Sequence, residues 1–570
     1  MRPTKQEASV LARFRRGKDD EGIVMVMVIG VVFVMALLVS TAIVSAASNQ
    51  RHARRDQTWN ASLAAAQAGI DDYLSRLNAD GNYWVYANPA HAYSSTNNPA
   101  AALPPAAQAN AAFTSWAQVP LANGRSQFRY EVNNAVYKAQ GILKVRATGR
   151  VGKTTRTVET TIRRRGFLDY LYFTNFETLD PAAYPNGSSS LTKAQAQAQC
   201  PLHEYEGRPS ACIDINFASG DTVNGPLHTN DSLLVCGAPT FNGTTTTSWN
   251  VRAPRYRKNS TCSGNNPRFS RAGDPSFSGT LDLPPNNDSI IREVDVRYVP
   301  VPGCLYAGPT RIILNANGTM RVTSPWTKVI AAGCEVGTDI AIPANGVVYV
   351  QSVPTNPAEA NYWAAGAAGR PTCAAGANPI GYPQTGDSST YPCQAGDVFI
   401  EGTMKGALTV AAENDIYATW DIKYNTQGTG STDILGLVAN NYVKVYHPVK
   451  CTNYSCTTAD NVKYLHNGAA TAATWTSPVI QAAVLSVQHS FIVQNYTLGA
   501  KLGDLTVSGA ISQNFRGPVG LIGSTGYSKV YSYDTRLKYL SPPHFIDPVQ
   551  SAFQVNTSAE RPAAYASNAP

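Results

Sequence analysis

The sequence of 570 residues predicts a mainly β protein carried on one long N-terminal transmembrane helix. An apolar run from Ile23 to Ala46 is long enough to cross a bilayer, which takes about 20 apolar residues. From residue 167 to about 555, short β-like segments alternate with Asn, Gly and Asp corners, and helical periodicity is almost absent. We expect this large exterior domain to stack its turns as a parallel β-helix, with a β-sandwich as the alternative.

The apolar run continues into an amphipathic stretch that contains no proline. A stripe at three- and four-residue steps predicts that the helix goes on through Trp59, Leu63, Ala66, Ile70, Leu74 and Leu77. A stem helix over 23–79 would be roughly 85 Å long at about 1.5 Å per residue. One half would dissolve in lipid, where we expect the side chains of Ile29, Val32, Leu37 and Leu38.

Two other interpretations of the apolar run stay open. A cleaved secretory signal has an apolar core of about 7–15 residues, which is shorter than this run. Small residues at Val44 to Ala47 nevertheless imitate a cleavage site. A plain signal anchor fits the length, and the positive-inside rule separates the orientations only weakly because Arg51, Arg54 and Arg55 follow the run.

A family resemblance rests on three features in a fixed order. A charged leader (1–22) ends at Gly22, the apolar helix follows, and AAAQAGIDDYL comes next. Over about residues 15–80 this arrangement resembles the PilX-like minor pilins of type IV pilus assembly. The resemblance implies that a prepilin peptidase cuts between Gly22 and Ile23. The family motif A-A-E-A-G-[IL] falls here on Ala65, Ala66, Gln67, Ala68, Gly69 and Ile70.

Two positions depart from the family pattern. Major subunits carry a glutamate at the fifth residue after the cut, where this sequence has Met27. Gln67 stands where the second motif usually has glutamate. Without the first carboxylate, the N-terminal amine of a neighbouring subunit has no buried partner in the membrane. The resemblance therefore implies a minor or accessory subunit whose partners are the bilayer, other pilin-like subunits and the assembly machinery.

Residues 80–166 predict a linker and a small antiparallel sheet, which with the stem would form an α/β head. The linker is rich in Ala, Pro, Asn and Ser. Apolar and polar residues then alternate along 143–148 and 158–163, on either side of a Gly-containing turn, as in a half-buried hairpin. We place a boundary near Gly166, where the exterior domain 167–555 begins, and we expect 556–570 to be disordered.

The cysteines predict an oxidising exterior. All ten lie beyond the apolar run, and an even count on one side of a membrane favours disulfides over free thiols or a metal site. Connectivity is not readable from sequence, although pairing of near neighbours, Cys200 with Cys212 and Cys451 with Cys456, is the simplest arrangement. The candidates are Cys200, Cys212, Cys236, Cys262, Cys304, Cys334, Cys373, Cys393, Cys451 and Cys456.

Composition and motifs point away from catalysis and nucleic acid. Only 15% of residues are charged, and the net charge of +8 forms no broad basic face with interleaved aromatics. Glycoside hydrolysis needs two carboxylates at a defined separation. The candidates lie on separate segments, mostly near turns: Asp214, Asp221, Asp231, Asp415 and Asp421. We expect no enzyme activity, no cofactor and no metal.

The sequence as a whole predicts a single-pass protein of the cell membrane or a pilus, with its C-terminal domain outside. The leading interpretation is a pilin-like assembly or tip subunit that displays the β-rich domain. The alternative is a surface adhesin that binds a glycan or a protein and never joins a filament. A polysaccharide-degrading surface enzyme is the third interpretation.

Overall fold

The computed structural model describes residues 21–565 with short gaps. The gaps are 96–100, 121, 123, 138–140, 165, 185–190, 373–377, 383–390, 429, 454–455, 462–463, 468, 471–473, 522 and 550–552. Most of the predicted leader, Cys373 and the last five residues lie outside the described residues.

The helices are one long element and several short ones. The α-helices are α1 (Glu21–Ala79), α2 (Ala92–Ser95), α3 (Lys193–Gln199) and α4 (Asp288–Ile291). The 3-10 turns are Tyr83–Val85, Ala106–Gln108, Ala111–Phe113, Phe167–Asp169, Pro181–Ala183, Glu204–Glu206, Arg292–Val294 and Thr535–Lys538.

The strands up to the middle of the chain are mostly short. They are β1 (Ala117–Gln118), β2 (Ser126–Asn133), β3 (Leu143–Val151), β4 (Thr154–Arg164), β5 (Tyr172–Leu179), β6 (Phe217–Ala218), β7 (Thr222–Asn224), β8 (Leu227–Thr229), β9 (Leu233–Cys236), β10 (Thr240–Phe241), β11 (Thr245–Thr247), β12 (Tyr256–Lys258), β13 (Arg268–Phe269), β14 (Ser276–Phe277), β15 (Cys304–Ala307) and β16 (Thr310–Asn315).

Longer strands are more frequent in the second half. They are β17 (Thr319–Thr323), β18 (Asp339–Ala341), β19 (Val347–Gln351), β20 (Val398–Met404), β21 (Ala407–Ala412), β22 (Ile416–Tyr424), β23 (Ile434–Ala439), β24 (Val443–Val445), β25 (Val449–Cys451), β26 (Ala459–Asn461), β27 (Leu465–His466), β28 (Ala469–Ala470), β29 (Val479–Ser486), β30 (Phe491–Val493), β31 (Lys501–Arg516), β32 (Gly526–Tyr533) and β33 (Phe553–Arg561). The prediction of a mainly β chain with a long N-terminal apolar helix is confirmed.

The distal half of α1 packs on a small antiparallel sheet with strand order β1-β2-β3-β4-β33. The hairpin predicted from alternating residues is β3 and β4, in which Val145 lies opposite Thr160. The buried core of this head joins helix and sheet through Ile70, Tyr73, Leu77, Phe128, Tyr130, Val132, Leu143, Val145, Ala147, Ile162 and Phe553.

The predicted disordered tail is wrong over 556–561, because these residues belong to β33. This strand pairs antiparallel with β4, from Phe553 opposite Arg164 to Arg561 opposite Thr157. The Arg156 guanidinium donates two hydrogen bonds to the Glu560 carboxylate, at 2.6 and 2.5 Å. The polar, Ala-rich composition suggested disorder, but the open edge of β4 supplies backbone partners. The large domain is therefore inserted between β4 and β33 and does not follow the head.

The inserted domain is built from columns of parallel strands. One column runs β15-β19-β21-β23-β29-β31-β5-β8-β11-β14, and a second runs β16-β20-β22-β24-β30. A third runs β31-β32-β7-β10-β13. Together they enclose one continuous apolar core. Such columns are what a parallel β-helix requires, and the assignment to that named fold stays a prediction.

The order of strands in space differs from their order along the chain. The chain enters the middle of the stack at β5 and proceeds to one end at β14. Residues 278–303 then run back outside the stack to the far end, where β15 begins. Asn287 Nδ2 on this returning segment donates to Ala412 O at 2.7 Å, and Asn345 Nδ2 donates to Glu293 O at 2.7 Å. Later strands return to the middle, so the first strand of the stack along the chain, β5, and the last, β32, both pair with β31.

The junction between the two halves of the stack contains a buried ion pair. Arg516 Nη1 lies 2.9 Å from Glu177 Oε2, and both side chains are excluded from solvent. The guanidinium also donates to the carbonyl oxygens of Ile215 and Asn216, both at 3.1 Å, and lies over the ring of Phe217. Each buried charge is thus provided with a partner from a distant part of the sequence.

A ladder of amide side chains crosses the same junction. Asn514 Nδ2 donates to Gln488 O at 3.0 Å, and Asn175 Nδ2 donates to Asn514 Oδ1 at 2.8 Å. Asn230 Nδ2 continues the ladder to Asn175 Oδ1 at 2.9 Å. These asparagines therefore join neighbouring turns, and two of them, 339 residues apart in the sequence, lie inside the paired strands β5 and β31.

Four disulfides brace the inserted domain over the described residues. They join Cys200 to Cys212, Cys236 to Cys262, Cys304 to Cys334 and Cys451 to Cys456. Cys393 is also disulfide bonded. Near-neighbour pairing is confirmed for the first and last of these pairs, whose cysteines are 12 and 5 positions apart in the sequence.

We expect Arg516→Met to lower the free energy of unfolding by roughly 3–5 kcal/mol, because Glu177 would remain buried without a cationic partner. Adding Glu177→Gln should recover much of the loss, since neither position would then be charged. Thermal and denaturant unfolding of the full chain measure both effects.

Arg321→Met is the matched control for this prediction. Its exposed pair with Asp339, at 2.8 Å, should contribute no more than about 1 kcal/mol. Equal destabilisation by Arg516→Met and Arg321→Met would contradict the role assigned to the junction.

Candidate functional site

The first half of α1 presents apolar side chains to its surroundings on every face. The predicted membrane residues Ile29, Val32, Leu37 and Leu38 are 58%, 61%, 51% and 59% exposed. Within the described part of the chain, α1 is the one helix long and apolar enough to cross a membrane. So much exposed apolar surface is unfavourable in water and favourable in lipid.

The predicted processing bond lies at the beginning of this helix. Gly22 and Ile23 are in the first turn of α1, which begins at Glu21. Met27, at the position where major pilin subunits carry glutamate, is 70% exposed among other apolar residues.

The predicted stem motif lies where the helix meets the small sheet. Ala65, Ala66 and Ile70 are buried there, whereas Gln67 points to solvent and Ala68 is half-buried. A Cβ atom added to Gly69 would lie 3.0 Å from Phe128 Cδ2 and 3.1 Å from Ala147 Cβ. The small side chains of the motif therefore allow close approach of helix and sheet.

Gly149 on β3 is the sheet's counterpart to this motif. A Cβ atom there would overlap the backbone of Ser62 and Ala66 on the helix. Because the obstructing atoms are backbone, a rotamer change cannot relieve the overlap. Helix and strand backbones therefore meet directly at this point.

An aromatic cluster holds the last turns of α1 to the head. The Tyr73 ring lies 5.6 Å from that of Tyr83, 5.4 Å from that of Tyr130 and 6.4 Å from that of Phe113. Burial raises the pKa of Tyr73 well above its ordinary value, so its phenol stays neutral. The cluster links helix, linker and sheet in one packed unit.

All five aspartates considered for glycoside chemistry have a cationic neighbour. Asp231 pairs with Arg208, and Asp214 lies 2.8 Å from Arg208 and 2.7 Å from Arg257. The other three pairs are Asp221 with Lys529, Asp415 with Lys444, and Asp421 with Lys423. Within the described ranges, no cluster of three or more His, Cys, Asp or Glu side chains is arranged to hold a metal ion.

A second carboxylate, that of Asp397, lies beside Asp415. Asp397 is buried and accepts hydrogen bonds from Tyr391 Oη at 2.5 Å, Asn414 Nδ2 at 2.5 Å and the Asp415 backbone N–H at 3.1 Å. Burial, and next the charge of Asp415, raise the pKa of Asp397 to about 6. Lys444 lies 2.5 Å from Asp415 and compensates part of the charge.

Similarity to known proteins is found among solved structures. No protein-family model matches the chain, and no curated protein does. The structure of the competence-associated pilin ComZ from Thermus thermophilus is 13% identical, and the match covers 88% of this chain and 97% of that one. Its TM-score is 0.26, which carries no argument about fold or function.

Sequence reasoning missed the partners that lie far away along the chain. Asp221 and Asp415 pair with lysines of other strands. Asp421 pairs instead with Lys423 on its own strand, and Asp214 and Asp231 share the guanidinium of Arg208. The alternation predicts a turn that begins at Gly149, whereas β3 continues to Val151 and contains this glycine. A glycine inside a strand often marks close approach of another backbone.

We expect Gly149→Ala to destabilise the head by about 3 kcal/mol or more, because the new methyl group overlaps helix backbone. Limited proteolysis within 80–166 should then become faster, and thermal unfolding should begin at lower temperature. Gly279→Ala is the control, since a Cβ there meets nothing within 4 Å. Unchanged protection of the head in Gly149→Ala would contradict the described contact.

We expect the stability of the wild type to fall relative to Asp397→Asn as pH rises from about 4 to about 6. The folded pKa of Asp397 lies above its unfolded value, so the folded state binds the proton more tightly, and its contribution is lost on ionisation. The difference between the folded and unfolded pKa of Asp397 corresponds to a change in unfolding free energy of about 3 kcal/mol at most.

Thermal unfolding midpoints of the two proteins between pH 3.5 and 8 test this dependence. Asp339→Asn, at an exposed carboxylate, serves as the control. Parallel curves for the wild type and Asp397→Asn would refute the assignment.

Proposed function

We propose that this chain is a membrane-anchored, pilin-like protein that displays its inserted β-rich domain outside the membrane. The supporting observation is the division of α1 into two halves. The first half exposes apolar side chains all round, and the second is packed on a small antiparallel sheet. One continuous helix thus joins a lipid-soluble segment to a folded head.

In this proposal the mechanism is a change of surroundings for the apolar half. Lipid covers it while the subunit is stored in the membrane. During assembly, the apolar helices of other pilin-like subunits replace the lipid, so the same surface serves both states. The assembly machinery supplies the work of extraction.

We further propose a minor subunit, located at a tip or used in few copies. Met27 provides no carboxylate for the amine of a neighbouring subunit. The inserted domain, over residues 167–552, is several times larger than the head and leaves it beside β4 and β33. In a closely packed helical array, such a domain on every subunit would crowd the neighbouring positions.

An exterior position for the inserted domain is part of the same proposal. Its disulfides fit an oxidising compartment, and all of the described ones lie beyond the apolar half of α1. We propose no catalytic role, because all five candidate aspartates are ion-paired, two of them with the same arginine.

A surface adhesin held by a plain anchor is the second candidate. Met27 favours it, since an anchor that never joins a filament has no need for that carboxylate. Processing of the N-terminus separates the two candidates.

Mass spectrometry of the mature N-terminus tests the pilin-like role. We expect a chain that begins at Ile23, because the peptidase that matures pilins would cut after Gly22. A chain that retains Met1, or that begins after Ala46 or Ala47, would refute it.

We also expect Ile29→Arg to reduce membrane retention or assembly severely, because a charge at this depth of the apolar half is costly. Ala64→Arg is the matched control, since Ala64 is exposed on the same helix beyond its apolar half. Cell fractionation with quantitative immunoblotting measures both variants. Equal retention of Ile29→Arg, Ala64→Arg and wild type would argue against the stem's role in the membrane.

A further inference from the structure

One face of the stack carries an uncharged polar row that crosses strands from distant parts of the sequence. Gln481 on β29 lies opposite Ser508 on β31, which lies opposite Ser532 on β32. Ser532 in turn lies opposite Asn224 on β7, and Asn242 follows β10, the next strand of the column. We call these five residues the polar row.

The side chains of the polar row point outward. The residues just before them, Ile480, Val507, Tyr531, Val223 and Phe241, are buried in the core. Gln481, Ser508 and Ser532 are half-buried, and Asn224 and Asn242 are exposed. Because parallel strands lie about 4.8 Å apart, the five positions extend over about 19 Å.

Lateral hydrogen bonds keep the polar row in order. Ser508 and Ser532 share one hydrogen bond at 3.0 Å, and Asn242 Nδ2 donates to Asn224 Oδ1 at 2.8 Å. Gln481 exchanges hydrogen bonds with Gln427 in both directions, at 3.1 and 3.2 Å. Gln481 Oε1 also accepts from the Tyr424 backbone N–H at 2.6 Å, so the open capacity of this amide is on Nε2. The serine hydroxyls and asparagine amides retain further donors and acceptors.

A cleft of about 280 Å³ opens onto one end of the polar row. Gln481, Ser508 and Ser532 line it, together with Gln427 and Tyr533. Tyr533 Oη donates to Leu168 O at 2.7 Å, which fixes the ring at the wall of the cleft. The cleft therefore offers a polar floor beside an aromatic wall.

The charges of the cleft cancel one another. Arg536 Nη2 lies 2.6 Å from Asp534 Oδ2, and their side chains are 6% and 11% exposed. Arg536 Nη1 also donates to Ser431 O at 3.2 Å and to Asp433 O at 2.9 Å. Both ions are thus committed to each other and to the protein.

We propose that the polar row and its cleft bind a neutral polysaccharide that lies along the stack. Hydroxyl and amide groups recognise sugar hydroxyls as both donors and acceptors, and the Tyr533 ring provides an apolar wall for sugar C–H groups. The row carries no ionisable side chain, so it offers a nucleic acid or an anionic glycan no cation to pair with. A lipid surface would require apolar side chains instead.

Repetition suits a chain-like ligand. The polar row presents similar groups at regular spacing, and an extended glycan presents hydroxyls on successive sugars. The binding free energies of many weak contacts add along a polymer, whereas a monosaccharide makes only a few of these contacts and binds weakly. This inference goes beyond membrane display, because a soluble or unassembled form of the chain would retain the same face.

Full-length protein in lauryldimethylamine oxide tests the proposal, because that detergent has no sugar headgroup to compete. Native gels containing dextran, galactomannan, xyloglucan or mixed-linkage β-glucan give the retardation, and calorimetry on any polymer that retards the protein gives the affinity. We expect at least one of these neutral polymers to bind, and alginate and double-stranded DNA not to.

Ser508→Trp should weaken binding by about tenfold or more, since the indole fills the middle of the row. Thr319→Trp, at a half-exposed strand position outside the row, should leave the affinity unchanged. Gln481→Ala provides a second variant that adds no bulk. Circular dichroism and unfolding midpoints establish that each variant is folded.

Three results would overturn the inference: no retardation by any of the four polymers, wild-type affinity in both Ser508→Trp and Gln481→Ala, or binding of alginate or DNA in place of neutral glycans. The mature N-terminus and membrane retention are measured independently, so failure here is distinguishable from failure of the pilin-like role.

Discussion

The pairing of β31 with β5 is the constraint on which the rest of the inserted domain depends. Each half of the stack would otherwise end in an open strand edge and an uncovered slice of apolar core. The pairing closes both edges at once, and β32 does the same beside β7. Glu177 and Arg516 make this closure specific, because each is a buried charge that only the other half can neutralise.

The same pairing determines how the domain is attached to the head. Since the chain enters and leaves at the middle of the stack, its two connections lie close enough to continue from β4 and to return as β33. The fifth strand of the head, β33, can pair with β4 only when the two ends of the insertion of about 390 residues lie close together. The entropic cost of closing such a loop grows only slowly with its length. Head and inserted domain are coupled in folding, although each has its own core.

Local patterns were readable from the sequence, whereas pairings between distant segments were not. The apolar run and the apolar stripe that follows it predicted α1. The alternation of apolar and polar residues around Val145 and Val158 predicted the hairpin of β3 and β4. The tail from Asn556 looked disordered because its partner strand ends nearly 400 residues earlier. Likewise, nothing near Ser532 indicates that Asn224 is its neighbour, since the order of strands in space is permuted relative to the chain.

The insertion also has a mechanical consequence. A ligand held on the stack, opposed by a pull on the stem, would load two covalent tethers in parallel, and both are fastened to the middle of the stack. The outermost turns, at β14 and β15, are not chain ends where peeling could start. Force would instead enter near the middle of the stack, where many hydrogen bonds and the buried ion pair must yield together. A stack suspended in this way resists tension better than one pulled from its tip.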